Sequence, residues 1–483
     1  MLSPARLMLL PLLVCHCVTT TNWSDKVSDA CFCKLQGEVD DCSCKVESLD
    51  SLNNNKIYPR LKSLMTNNYF KYFKVNLKKR CPFWTDDSRC AMKDCHVNVC
   101  EPDSVPFADK KENKQEPENK YSKEAQNGNH ANCEEERELG ALDTSLSDES
   151  KKKFREWKAY DDSLDMFCEI DDEHSADVQY VDLLKNPERY TGYKGASPRR
   201  IWRSVYEENC FNMYSRSTTK RTSRKLGASS YSEGPAKPVA YGPRDDKLSN
   251  DCLQGMCLEK RTFYRLISGL HTSINIHLCD QYLFPSINAF GPPEWGPNVK
   301  EFKKRFDPET SDGQGPQRLK NLYFAYLVEL RALAKAAPYL EQEEFFTGTF
   351  GHDDEVRLAV HDFLQVVREF PEHFDESKLF QGNSAQTKKL KIEFRDHFRN
   401  ISRIMDCVGC DKCKLWGKLQ VLGMGTALKI LFSGSSMGLA STVSADFKAD
   451  FQLTRTEIVA LFNAFGRLSS SIYALENFRA LMR

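Results

Sequence analysis

Cys407, Cys410 and Cys413, in the run CVGCDKC, offer the clearest chemistry in this chain. Cys410 and Cys413 are one helical turn apart, so a helix starting here carries both sulfurs on one face, close enough to form and break a disulfide. The first thiol of such a pair meets the positive end of the helix, which favours its thiolate and suits it to attack another disulfide. Cys407 lies a further turn upstream and suits a separate anchor to a distant segment. Three cysteines with His397 as fourth ligand also suit a zinc knuckle, the competing use of the same residues.

The compartment bears on that choice. The first 20 residues, MLSPARLMLLPLLVCHCVTT, place one early arginine before an apolar stretch from Leu7 to about Val18, the pattern of a secretory signal too short to span a bilayer. Residues 21–483 are then expected to form one domain in an oxidising lumen. Cys15 and Cys17 would leave with the signal, so 17 of the 19 cysteines remain, and an odd number requires at least one thiol unpaired or paired outside the chain. Asn22 (NWS) and Asn400 (NIS) are glycosylation sequons. No later segment reads as a membrane span. The best candidate, 415–432, is interrupted by Lys418 and Lys429 and reads as a helix with a buried face. A chain of 483 residues can bury a large core, so its cysteines are not needed to replace one. Lys plus Arg equals Asp plus Glu at 68 each, and that balance points to neither nucleic acid nor an acidic membrane surface.

The elements that would position these groups follow from spacing. Cys31, Cys33, Cys42 and Cys44 sit in a hairpin-like run that reads as a structural staple; nested pairing of Cys31 with Cys44 and Cys33 with Cys42 fits two facing arms, though spacing allows three connectivities. Residues 57–80 carry apolar residues at mixed helical spacing and are expected to pack on the main body. Cys81, Cys90, Cys95 and Cys100 follow, then a polar stretch up to Cys133 that reads as a mobile solvated loop, so 81–133 either carries reactive thiols or is pinned by them. A helix-poor region containing Cys168 runs to about residue 200. Cys210 and Cys257 bracket a Ser-, Gly- and Pro-rich excursion at 215–250, where one disulfide would stabilise by roughly 3–4 kcal/mol. Beyond it, helical stripes recur at 258–278, 319–333, 354–370, 387–406, 415–432 and 454–482, each needing another to cover it. The fold class is therefore mainly α, a helical-bundle core over 258–482 with a stapled N-terminal segment and long polar loops. There is no strand–helix alternation and no GxGxxG, which argues against a Rossmann domain.

Disulfide exchange moves oxidation without creating it, so a redox relay needs an electron sink, and a flavin is the natural one. Without a dinucleotide fold it would lie between helices, with arginines on its pyrophosphate and an aromatic on a ring. Ser268 and His271 share a face of one predicted helix, beside an apolar stripe, and also suit an ordinary satisfied core pair.

Five separated motifs, CVGCDKCKLWGKLQ, NPERYTGYKG, FYRLISGLH, GPQRLKNLYF and LFNAFGR, together resemble the endoplasmic reticulum oxidoreductin family of flavin-dependent thiol oxidases that reoxidise protein disulfide isomerase. The resemblance runs from about Cys31 to the C-terminus. It implies that Cys90 and Cys95 are the outer shuttle pair, Cys410 and Cys413 the inner pair beside FAD, and Cys81 with Cys407 a structural tie. It further implies an FAD pocket lined by Arg189, Thr191, Trp202, Ser268, His271, Arg305 and Arg318. Cys100 and Cys133 match a regulatory switch in which Cys90 pairs with Cys133 and Cys95 with Cys100. Electrons would pass from the isomerase through the two pairs and FAD to oxygen, yielding hydrogen peroxide and driving disulfide formation in secretory proteins. The inner cysteine facing the flavin is expected to be Cys413, leaving Cys410 for exchange with the shuttle. The pairing of Cys168, Cys252 and Cys279 stays open. The implied setting is the endoplasmic reticulum lumen or the lumenal membrane face, as a monomer. The C-terminal ALMR lacks KDEL, so retention by a lumenal partner is expected. Two other functions compete: a secreted disulfide-stapled binding protein without turnover, and a lumenal isomerase, which would need a CxxC after a strand that is missing here.

Overall fold

A computed structural model describes residues 46–84, 95–101, 166–172, 175–188, 196–209, 258–284, 294–347, 350–370, 374–381, 384–433 and 451–482. The chain runs through α1 (Val46–Leu52), a π-helical turn, α2 (Tyr58–Leu64), α3 (Asn68–Lys71), β1 (Tyr72–Val75), β2 (Gln179–Asp182) and α4 (Ala196–Glu207). It continues with α5 (Leu258–Asp280), β3 (Tyr282–Phe284), β4 (Glu294–Gly296), α6 (Val299–Phe306), α7 (Gln314–Leu340), α8 (Phe350–Glu369), α9 (Ser384–Ile404), α10 (Asp411–Phe432) and α11 (Arg455–Met482).

The architecture is mainly α, as the stripes predict. The core is a bundle in which α10 packs along α11 and α5 along α7, with α7 also meeting α10 and α11. Small residues set the closest crossings. A Cβ at Gly423 would collide with Ala464 and the Ala460 carbonyl of α11, and one at Gly269 with the Asn321 carbonyl and Ala325 of α7. Aromatic rings fill the remaining space: Phe302 stacks on Phe478 at 4.2 Å, and Phe263 meets Phe394 edge-on at 5.2 Å.

Four features depart from the periodicity reading. The stretch at 57–80 is helical only to Lys71 and then forms β1, which pairs antiparallel with β2 in the register Tyr72 with Asp182. A second antiparallel ladder pairs β3 with β4. Both ladders are too short for alternation to emerge from a helical background. The helix α4 begins inside the region read as helix-poor to about residue 200 and runs past it, where no stripe is assigned, although Ile201 and Val205 are buried one turn apart. The core also reaches back beyond 258, because α2 and α3 pack on α11, and Tyr323 and Arg479 both bond the Asp50 carboxylate of α1. Finally, among the described residues the helix long and apolar enough to cross a membrane, by length and composition alone, is α11 and not 415–432. Its apolar window has mean hydropathy 1.3 and is 83% buried by the rest of the protein.

Candidate functional site

The last turn of α9 tightens into a 3₁₀ turn, Met405–Cys407, and the chain becomes extended at Val408 before α10 begins. Cys410 is the N-cap of α10, with φ −94° and ψ 115°. Its sulfur faces the first turn, accepting the Cys413 N–H at 3.4 Å and the Cys413 thiol at 2.7 Å. Both bonds favour the thiolate. The Cys410 thiol is accordingly held below its ordinary value, first by the Cys413 thiol, while burial and Asp411 oppose the shift. Cys410 and Cys413 are only 3% and 1% exposed, so a folded protein donor cannot dock directly on either sulfur in this conformation.

Cys407 is joined to Cys81 by a disulfide across 326 residues of sequence. The strap leading to Cys81 is also held by charge. Lys418 of α10 lies 3.0 Å from both Asp171 and Asp406 and donates to the Asn76 carbonyl at 2.9 Å. Lys79 pairs with Glu169 at 3.3 Å, and Arg403 bonds the same carboxylate at 3.0 Å. Because several opposite charges meet here, each desolvated group keeps a partner. The start of α10 is thus braced covalently and electrostatically.

His397 cannot complete a zinc knuckle with Cys407. Cys407 is already in a disulfide, and His397 Nδ1 lies 2.7 Å from Glu208 Oε2. The Asn400 sequon is corrected on similar grounds. Asn400 lies within α9, 4% exposed, with its amide donating to Glu208 at 3.1 Å and accepting from Arg403 at 3.1 Å, so this fold leaves no room for a glycan. Tripeptide pattern carries no burial information, which is why the sequence misleads there.

Cys95 is 4% exposed and disulfide-bonded. The segment that follows it lies along β2: Val99 bridges Val181, and the Cys100 N–H donates to the Tyr180 carbonyl at 2.9 Å. Cys168 and Cys279 are buried, and burial pushes both thiols up, that of Cys279 to about 12, so neither is poised as a nucleophile.

Trp202, Ser268, His271, Arg305 and Arg318 come together at the junction of α4, α5, α6 and α7. The Trp202 ring stacks on His271 at 3.7 Å, and Tyr206, one turn further along α4, places its hydroxyl 2.7 Å from His271 Nδ1. Burial, then Arg318, then Arg305, push His271 down to about 3, so the imidazole is neutral at any physiological pH. Arg305 is aimed by Glu301 at 2.9 Å and by Asn275, and Arg318 donates to the Arg305 carbonyl at 3.4 Å. Ser268 accepts from Asn321 at 3.0 Å, and Asn321 in turn accepts from Arg265 at 3.2 Å. Tyr206, Asn275, Glu301 and Asn321 were not singled out by the sequence; the i, i+4 spacing of Tyr206 from Trp202 and of Glu301 from Arg305 was the available signal.

Two guanidinium groups, a serine, a neutral imidazole and stacked aromatic rings form a donor set suited to an anionic group that carries a planar ring system. Arg189 and Thr191 lie outside the described residues, as do Cys31, Cys33, Cys42, Cys44, Cys90, Cys133, Cys210, Cys252, Cys257 and Asn22.

This fold and these motifs have known relatives. A profile of the family described as Endoplasmic Reticulum Oxidoreductin 1 (ERO1) matches residues 56–475. The "Ero1-like protein" of Drosophila melanogaster is 52% identical over 470 residues, covering 95% of this chain and 92% of that one. The "ERO1-like protein alpha" of Homo sapiens is 48% identical over 463 residues, covering 95% and 93%. A solved structure of a cysteine-to-alanine mutant of S. cerevisiae Ero1p is 28% identical, with a TM-score of 0.54 over 90% of this chain and 97% of that one. With a family match over most of its length and relatives near half identity, this chain belongs to the endoplasmic reticulum oxidoreductin family.

Proposed function

We propose that the chain is a thiol oxidase of the endoplasmic reticulum lumen that accepts electrons from reduced protein disulfide isomerase at Cys90/Cys95 and passes them to Cys410/Cys413. The observation that carries this reading is the inner pair itself: two buried sulfurs 2.7 Å apart at a helix start, with the first held toward thiolate. A binding protein without turnover has no use for a buried, activated dithiol.

Each transfer is a thiol–disulfide exchange. An isomerase thiolate attacks the outer disulfide, a mixed disulfide forms, and its second thiol resolves it, leaving Cys90 and Cys95 reduced. An outer thiolate then attacks Cys410, releasing the Cys413 sulfur as thiolate; attack by the second outer thiol completes transfer of two electrons and two protons to the inner pair. The electrostatics favour Cys410 as the exchanging sulfur, because it is the one stabilised as thiolate when the steps run in reverse. Cys413 is left to face the electron sink. Burial of Cys95 means that its segment must move for that sulfur to react.

The cluster around His271 fits FAD, with Arg305 and Arg318 on the pyrophosphate and Trp202 and His271 against a ring, joined by Ser268 and, by family resemblance, Arg189 and Thr191. When bound, FAD supplies the two-electron chemistry that links the inner dithiol to oxygen and yields hydrogen peroxide. The neutral His271 can hydrogen-bond a cofactor without adding charge, while the arginines supply the charge.

The visible absorption spectrum of the purified chain and its oxygen uptake with reduced isomerase test the proposal together. A flavin spectrum with isomerase-dependent uptake is the expected result; a colourless, inactive chain overturns it.

A further inference from the structure

After β2 the chain turns through Asn186, Pro187 and Glu188. Asn186 is fully buried. Its Oδ1 accepts the Asn98 backbone N–H at 2.7 Å, and its Nδ2 donates to the Asn98 carbonyl at 2.8 Å and the Asp182 carbonyl at 3.0 Å. The side-chain amide therefore grips both sides of the Asn98 residue's backbone, as a neighbouring strand would.

The other side of the turn is fixed to the inner-pair helix. Trp416 Nε1 donates to the Asn186 carbonyl at 2.9 Å, and Gln420 Nε2 donates to the Glu188 carboxylate at 2.9 Å. Trp416 lies one turn beyond Cys413, and Gln420 one turn beyond Trp416, so α10 holds the turn at successive points along one face. Arg467 of α11 pairs with Glu188, and His277 Nε2 donates to its carbonyl at 3.1 Å. The turn is a rigid ledge whose outer rim is the Asn186 amide.

We propose that Asn186 is a positioning residue, a latch that holds the outer-cysteine segment in register with the inner-pair helix and so sets how often an outer sulfur meets Cys410. The proposal rests on the two-pair relay proposed above. Asn98 lies three residues after Cys95 and two before Cys100, so gripping its backbone fixes the point from which Cys95 moves. A short tether anchored to the same helix as the target raises the effective concentration of the outer sulfurs there. A small dithiol that reaches the inner pair unaided gains nothing from the tether.

Asn186→Leu keeps the branched heavy-atom skeleton, at a larger volume, and deletes all three side-chain bonds, while the Trp416 contact, which uses the backbone carbonyl, persists. Asn98→Pro deletes the N–H that Asn186 accepts, and the Asn98 side chain is itself exposed. The full-length protein would be assayed for oxygen uptake driven by reduced isomerase and by dithiothreitol, with flavin content measured alongside. The expected result for both variants is a five- to tenfold drop, roughly, in isomerase-driven kcat, with KM for isomerase and dithiothreitol-driven uptake within about twofold of the unmodified chain. If Asn186→Leu loses flavin or solubility, Asn98→Pro decides alone. Unchanged isomerase-driven turnover overturns the latch, and so does an equal fall with both donors, which marks a merely structural role. No uptake by the unmodified chain with either donor overturns the relay, and the latch with it.

Discussion

Cys410 and Cys413 start a helix that packs along α11 and α7, and the strap behind them is tied by a disulfide and by an ion-pair cluster. Cys95 and Cys100 lie on a short segment that meets the body through the buried Cys95 and Val97 side chains, one bridge to β2, the Cys100 amide and the grip of Asn186. Both regions bury sulfur. They differ in what must break to move it: displacing the inner pair means unpacking the bundle, whereas releasing the outer segment exposes two buried side chains, Cys95 and Val97, and costs a few neutral hydrogen bonds, each contributing about 1 kcal/mol. A relay between a large protein donor and a shielded acceptor calls for this division, with one pair fixed and the other able to travel.

The strongest way to break the comparison is to remove one sulfur from each region. Cys413→Ala is expected to abolish oxygen uptake with every thiol donor, a loss of at least about a hundredfold, while bound flavin remains because other residues build its pocket. Cys95→Ala is expected to abolish only the isomerase-driven reaction, leaving uptake with a small dithiol that enters the core. Equal loss with both donors in Cys95→Ala would collapse the two regions into one site. Disulfide mapping by mass spectrometry adds the regulatory arm: Cys90 joined to Cys133 in the resting protein and released after reduction supports the proposed switch, and Cys133→Ala then raises activity under mildly oxidising conditions.

Hydrogen exchange sharpens the same contrast without mutation. The Lys414 amide, bonded to the Cys410 carbonyl at 2.7 Å inside the packed helix start, is expected to exchange near the rate of global opening. The Cys100 amide, bonded to Tyr180, is expected to exchange through local release, at least about a hundredfold faster. Similar protection at both amides would mean that the outer segment is as fixed as the inner pair.

The cofactor region gives a smaller effect. Arg305→Ala and Arg318→Ala each remove a guanidinium from a partly buried anion site, where a charge-assisted bond contributes about 1.5–3 kcal/mol, so flavin affinity is expected to fall about tenfold or more for each. Flavin content after gel filtration reports this directly. Stoichiometric flavin in the double variant would remove both arginines from the pocket.

What was legible in the sequence follows the range of the interactions. The thiol pair at a helix start is encoded within four residues, and the six C-terminal stripes within their own periods, so both could be read locally. Ser268 and His271 could be placed on one helix face, but the Trp202 ring that stacks on His271 arrives from another helix, beyond the reach of any local period. Asn186 and Glu188 could not be seen at all as positioning groups. Their partners Asn98, Trp416, Gln420 and Arg467 lie from 88 to 279 positions away, and no local period links them. The buried Asn400 marks the opposite error, a local pattern overruled by tertiary packing.

The smallest expected effect tests how much the rigid half is strained by its own composition. Glu329, in the middle of α7, is fully buried, and neither carboxylate oxygen has a hydrogen-bond partner among the described residues. Burial raises its pKa well above the ordinary 4.5, so the folded protein keeps a proton that the unfolded chain releases. Its contribution to stability is therefore fully present below about pH 4.5 and is lost as the pH rises toward the raised folded value. Glu329→Gln carries no titrating proton, so the difference in stability between the two proteins should widen in the variant's favour from pH 4.5 upward, reaching about 1 kcal/mol or more near neutrality. Urea denaturation at several pH values reads this difference, and other titrating groups cancel between the two proteins. If the two stability curves run parallel, the Glu329 carboxyl titrates alike in both states, and the middle of α7 is more accessible to water than its burial implies.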